Sequence, residues 1–200
     1  NGKTTYALEG TIFIAGAGVQ WLRDKMKFIK KASDTEKIAK SLKSNNGIYL
    51  VPAFTGLGAP YWNVNARGIL TGLTRDTGPE EITRATVESV AYQTYDLFEA
   101  MKNDGLKPKL IKVDGGMVLN NWFSQFLSDT INTKVLRPKV NETTALGAAF
   151  MAGLQIGVYK SLKDIAKNWQ AGKSFKPRIK NSERKILIDG WSKAIKKTLS

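Results

Sequence analysis

The feature that most constrains this chain is a long helical stripe near its middle. Val87, Val90, Ala91, Thr94, Leu97, Phe98 and Met101 recur at helical spacing, behind Pro79 and the acidic pair Glu80–Glu81. Proline suits a first helical turn, and anions there meet the positive end of the helix dipole. The pattern predicts a helix over 79–102 whose apolar face must be covered. Short apolar runs flank it: "IYLVPAF" (48–54), "ILTGLTR" (69–75), "LIKV" (110–113) and "KVLRP" (134–138). Each reads as a strand. Strands first, then strand–helix alternation, predict an α/β fold with a mixed sheet flanked by helices. Ligands in such sheets gather at the loops leaving the C-terminal ends of strands.

The remaining elements follow the same logic. We expect a strand over 4–9 and a helix over 12–26, with Ala15, Gly16, Ala17 and Gly18 in its middle. A short amphipathic helix is expected over 33–43, with Ser33 as N-cap and Glu36 three positions on. "SNNG" (44–47) is a turn, and "TGLGAPYWNVNARG" (55–68) a long loop. Phe54, Tyr61 and Trp62 are expected to pin that loop to the core. Helices are expected over 119–132, over 145–157 behind a Thr143 or Thr144 cap, over 161–167 and over 182–198. The helix over 145–157 is so rich in Ala and Gly that it is expected to pack closely.

Composition excludes several chemistries. The 200 residues hold no Cys and no His, which removes disulfides, thiolate chemistry and the commonest general base. No apolar run approaches the roughly 20 residues of a membrane-spanning helix. No signal-peptide pattern opens the chain, and a cytoplasmic location is the default expectation. The first residue is Asn rather than Met, from which we expect a longer parent chain. The net charge of +14 raises a nucleic-acid reading, but its distribution argues against one. Residues 1–46 carry +5 and 159–200 carry +9, while 47–110 and 111–158 carry −1 and +1. Terminal charge of this kind reads as solvated helix faces.

Two glycine clusters are the candidate sites. In "VDGGMVLNN" (113–121) a strand ends on Gly115–Gly116 before a helix. Glycines there allow a ligand close to the backbone, with free N–H groups beside it, and Asn120 can offer an amide. A plain strand-to-helix turn explains the same residues. In "FIAGAGVQW" (13–21) small residues leave room for a ligand, and Gln20 lies one turn beyond Gly16 on the same face; close helix packing is the competing account. No GxGxxG or Walker-type loop is present. Asp114 stands alone as a carboxylate, and Glu88 reads as structural.

The segment "GILTGLTRDTGPEEITRATVE" (68–88) resembles the second signature of the FGGY carbohydrate kinases along its whole length. "YALEGTIFIAGAGVQWLRD", "VPAFTGLGAPYWNVNARG" and the tail "FKPRIKNSERKILIDGWSKAIKK" are similar to members of that family that phosphorylate glycerol. The resemblance implies an actin-like (ribonuclease-H-like) domain over 1–200, the C-terminal nucleotide-binding half of a two-domain kinase. It implies ATP or ADP with Mg²⁺ as cofactor, and contacts to the nucleotide from Gly16, Gln20, Gly116 and Asn120, with Gly115 completing the turn. It places the catalytic Asp, the glycerol-binding residues and the first phosphate loop on a preceding domain. No catalytic residue and no metal ligand is therefore expected here, and the 200 residues are expected to be inactive alone. Asp114 becomes a turn-former. The family also implies a homo-oligomer at full length. A sugar or polyol kinase of the same family and a non-catalytic basic binding module remain the alternatives.

Overall fold

The computed structural model describes residue 4 and residues 6–200. Its longest element is the expected central helix, α3 (Pro79–Asn103). The Glu81 carboxylate accepts the Gly78 N–H at 2.9 Å and so closes the first turn of this helix. Seven strands and helices matter around it: α1 (Gly16–Asp24), α2 (Asp34–Ser41), β1 (Tyr49–Val51), β2 (Ile69–Thr71), β3 (Leu110–Lys112), α4 (Asn121–Ile131) and β4 (Lys134–Pro138). They are followed by α5 (Thr143–Gln155), α6 (Leu162–Lys167), β5 (Ala171–Phe175) and α7 (Asn181–Leu199).

The described residues form two small sheets. β1 and β2 pair antiparallel, with Leu50 opposite Leu70. β4 is the middle strand of the other, parallel to β3 and antiparallel to β5, so the sheet is mixed as expected. α3 packs on α1, α2, α4 and β1; α7 covers β1 and β2; and α4 covers β4 and β5. The core is aromatic at its centre. Tyr92 of α3 stacks on Trp191 of α7 at 5.3 Å and meets Phe126 of α4 edge-on at 5.6 Å. Such pairs add about 0.5–1.5 kcal/mol each beyond the area they bury.

Polar ties inside the core join α3 to its neighbours. Glu88 is fully buried and pairs with Arg84 at 2.7 Å. It also accepts from Asn45 at 2.9 Å and Tyr92 at 3.2 Å. Burial pushes its carboxyl up, against the pull of the Arg84 guanidinium. Arg84 in turn donates to the Leu42 carbonyl just beyond α2. Glu88 is thus structural, as its sequence context suggests.

Several sequence expectations need correction. The strand over 4–9 falls partly outside the described residues, and the described part forms no strand. α1 begins at Gly16, not at residue 12, so its small residues form the first turn rather than the middle. Ser33 makes no capping bond. Asp34 ties the entry to α2 instead, accepting from the Lys30 and Lys31 N–H groups at 3.1 and 2.9 Å. Neither Thr143 nor Thr144 caps α5, whose N-cap position is Glu142. β5 was not expected; of its residues only Phe175 is buried, so the segment carries no alternation. α5 does not pack closely: Gly153 is its single buried residue. Among the aromatics expected to pin the long loop, Phe54 packs at a tilt on Trp21 at 5.1 Å and Tyr61 bonds Asp96, but Trp62 is 64% exposed. Among the described residues no helix is long and apolar enough to cross a membrane.

Candidate functional site

A cavity of about 420 Å³ opens where three segments converge. One wall is α1, through Gly16, Val19 and Gln20. The second is the start of α2, through Ser33, Thr35 and Glu36. The third is a short 3-10 turn, Gly116–Leu119, with Asn120 after it. Val87 of α3 forms part of the lining. The third wall leaves the C-terminal end of β3, the expected place for a ligand in such a sheet.

Four of the five sequence candidates therefore meet: Gly16, Gln20, Gly116 and Asn120 all line this cavity. Gly115 does not line it. Its φ of +87° makes the turn from β3, a conformation that favours glycine. The α1 cluster resolves into two roles. A side chain added at Gly18 would press on the Thr86 methyl at 3.1 Å, so Gly18 serves the packing of α1 on α3. One added at Gly16 would meet nothing within 4 Å, and the same holds for Gly116. Protein packing does not demand glycine at either place. Both face the cavity, and their smallness leaves the backbone open to whatever enters.

The site's polar character follows from local structure. α1 has no side-chain cap and no acidic residue in its first turn. Its first N–H groups thus present the positive end of the helix at the cavity edge. The Gln20 amide has no hydrogen-bond partner among the described residues. Asn120 behaves differently from the sequence expectation of a free amide. Its Oδ1 accepts the Phe123 N–H at 2.9 Å and caps α4, while its Nδ2 donates to Thr35 Oγ1 at 3.2 Å. One amide proton remains for a ligand. At Glu36 burial opposes the charge, but bonds from Lys40 and Asn121 outweigh it and hold the carboxyl below its ordinary value.

The α2 wall had no ligand signal in the sequence: Ser33 and Glu36 read as a capping pair and Thr35 as an ordinary position of an amphipathic helix. Asp114 is exposed, and its side chain makes no hydrogen bond among the described residues; the turn is made by Gly115. No group of three or more Asp or Glu that could hold a metal ion occurs among the described residues.

Known proteins match this chain along its length. A family model described as the C-terminal domain of the FGGY family of carbohydrate kinases covers residues 1–156. A glycerol kinase of Alteromonas mediterranea is 55% identical over 195 residues, which is 98% of this chain and 40% of that protein. One of Ectopseudomonas mendocina is 54% identical over all 200 residues, again 40% of its length. The chain thus spans about 40% of the length of the curated relatives it matches. Among solved structures, Plasmodium falciparum glycerol kinase with ADP superposes with a TM-score of 0.85 at 36% identity, over 94% of this chain and 38% of that one. A ligand-bound xylulose kinase of Lactobacillus acidophilus, 24% identical, shares the fold with a TM-score of 0.77 over 94% of this chain and 38% of its own. On this agreement of sequence and actin-like fold, the chain belongs to the FGGY family of carbohydrate kinases and carries its C-terminal domain.

Proposed function

We propose that this chain is the nucleotide-binding half of an ATP-dependent glycerol kinase. The observation that carries the reading is the cavity between Gly16–Gln20 and Gly116–Asn120. Two of its lining glycines have open space where a side chain would stand, which suits a ligand pressed against the backbone. Among solved structures, 36% identity to a glycerol kinase against 18–24% to xylulose and gluconate kinases favours glycerol as acceptor, in line with 50–55% identity to curated glycerol kinases.

In the proposed reaction a glycerol hydroxyl oxygen attacks the γ-phosphorus of ATP and gives its proton to a base on the second domain, the bond to the β–γ bridging oxygen breaks, and ADP leaves. Phosphoryl transfer depends mostly on positioning and charge stabilisation. This chain's share is to hold the nucleotide. Val19, Val87 and Met117 offer an apolar lining, and the glycines of the two walls let the backbone approach. The uncapped start of α1 favours an anion, while Gln20 and the remaining Asn120 proton orient polar groups. Mg²⁺ in such sites is held mainly by the nucleotide's phosphates with one or two carboxylates; no group of three or more carboxylates occurs among the described residues, and no step is assigned to the ion. The acceptor pocket and the catalytic base belong, in this reading, to a second domain.

The molecule's surface supports that second domain. Its accessible area is 12279 Å², whereas a compact chain of 22.1 kDa exposes about 9,300 Å². α5 is the plainest case. Its sequence TTALGAAFMAGLQ has no charged side chain, yet Met151 is half exposed and Ile156 and Val158, just beyond it, more so. An uncharged helix left in water suits a face made for another body.

Calorimetric titration of ADP tests the cavity. Saturable binding that Gly116→Val abolishes is the expected result; equal affinity in both proteins would refute the assignment. Robust glycerol phosphorylation by these 200 residues alone would refute the two-domain division of labour.

A further inference from the structure

The wall formed by residues 116–120 is held from behind by two side chains that do not line the cavity, Ser124, whose Oγ donates to the Val118 carbonyl at 3.0 Å, and Arg137. Arg137, on β4, donates through Nη1 to the carbonyls of Val118 at 2.6 Å and Leu119 at 3.1 Å. Through Nη2 it donates to Asn121 Oδ1 at 3.2 Å. Its guanidinium lies 5.8 Å from the centre of the Phe175 ring. The two carbonyls close a 3-10 turn; that of Val118 accepts from both Ser124 and Arg137, and that of Leu119 from Arg137. A charged fork suits them, because charge-assisted bonds are stronger than neutral ones.

The other end of the turn is loosely held. Side chains added at Gly115 or Gly116 would meet nothing within 4 Å, and Gly115 sits at φ +87°. Two glycines with no packing beside them confer little rigidity. The position of this wall therefore rests on its C-terminal end, which Arg137 holds together with Ser124 and the Asn120 bonds to Phe123 and Thr35. Asn121 extends the connection across the cavity: its Oδ1 also accepts Lys173 Nζ at 3.0 Å, and its Nδ2 donates to Glu36 Oε1 at 3.3 Å. Glu36 stands on the opposite wall.

We propose that Arg137 is a positioning residue for nucleotide binding. It sets the place of the Gly116–Asn120 wall, and through Asn121 its separation from α2, while touching no ligand. This rests on the nucleotide reading of the cavity. Lysine cannot replace it, since an ammonium lacks the planar fork that serves two carbonyls and a side chain together.

Steady-state kinetics of the full-length kinase test the proposal. Arg137→Ala is expected to raise KM for ATP about tenfold, equivalent to about 1.4 kcal/mol, while KM for glycerol at saturating ATP stays within error. Arg137→Lys, which keeps the stem and the charge, is expected to show a smaller rise and carries the test alone if the alanine variant does not fold. Asn121→Ala is expected to add less in the Arg137→Ala background than in the parent, because the two act together. Equal rises in both KM values would mark a general structural role and overturn the proposal. Gly116→Val separates the two readings. If it abolishes nucleotide affinity while both Arg137 variants leave it intact, the cavity assignment stands and the positioning role is refuted. If it too leaves affinity intact, the cavity assignment fails and the Arg137 proposal falls with it.

Discussion

Replacing Asp96 by Asn should remove one pH dependence of stability and leave the local bonds in place. Asp96 lies on α3 beneath the long loop. Its Oδ2 accepts both Tyr61 Oη at 2.9 Å and Trp191 Nε1 at 2.7 Å, joining that loop to α3 and α7. Burial pushes its carboxyl from 3.8 up to about 6, although both hydrogen bonds pull it down. The native state thus holds this proton more tightly than the unfolded chain does. The group's contribution to stability is complete below about pH 4 and is lost as pH rises through 6. Above that the ionised carboxylate costs the native state up to about 3 kcal/mol. Asn at 96 still offers an oxygen to Tyr61 and Trp191 but never ionises. In denaturant unfolding at pH 4, 5, 6 and 7, the stability of Asp96→Asn relative to the parent should rise by up to about 3 kcal/mol across the series. Contributions of every other titrating group cancel in that difference. A flat difference would mean that Asp96 is as well solvated folded as unfolded, and a falling one that its hydrogen bonds outweigh its burial.

Three further outcomes are expected. Gly116→Ala should change the unfolding midpoint little, because the added methyl meets nothing within 4 Å, yet weaken ADP binding measured by calorimetry. Gly72→Ala should destabilise the protein by more than about 3 kcal/mol, since φ there is +82° and a side chain would collide with the Gly47 carbonyl; thermal unfolding reads this directly. Glu88→Ala should cost about 3–5 kcal/mol in chemical denaturation, because it leaves the Arg84 guanidinium buried without its partner.

What was legible in the sequence depended on whether the cause was local. α3 declared itself because its stripe is periodic and its Pro79 start has a local reason. The Gly115–Gly116 turn was legible because a strand that must stop and a backbone that must bend leave a mark of two residues. β5 was not legible. It is a strand by virtue of backbone bonds to β4, and of Ala171, Gly172, Lys173, Ser174 and Phe175 only the last is buried. The start of α1 was misplaced for a related reason. Ile12 and Phe13 continue the apolar pattern, but nothing local records that the helix begins at Gly16, at the edge of a cavity.

The two asparagines at 120 and 121 show how far a motif can be read before tertiary structure is needed. From sequence, Asn120 was a helix-start residue with an amide to offer. The structure engages that amide on both sides: Oδ1 caps α4, and Nδ2 reaches Thr35, 85 positions away. Asn121 reaches Glu36 over the same separation. Adjacent residues on one wall thus hold adjacent residues on the other, and Asn121 also accepts from Arg137. Loss of nucleotide affinity in Asn120→Ala would accordingly not identify a direct contact, because the cap, worth about 1 kcal/mol, and the tie to α2 are lost together. Thr35→Val separates the two. It removes the acceptor on α2, together with the Thr35 bond to the Ala32 carbonyl at 2.7 Å, and leaves the cap and the remaining amide proton in place. If affinity survives Thr35→Val but not Asn120→Ala, the amide touches the ligand. If both lose it alike, Asn120 acts by holding the walls together.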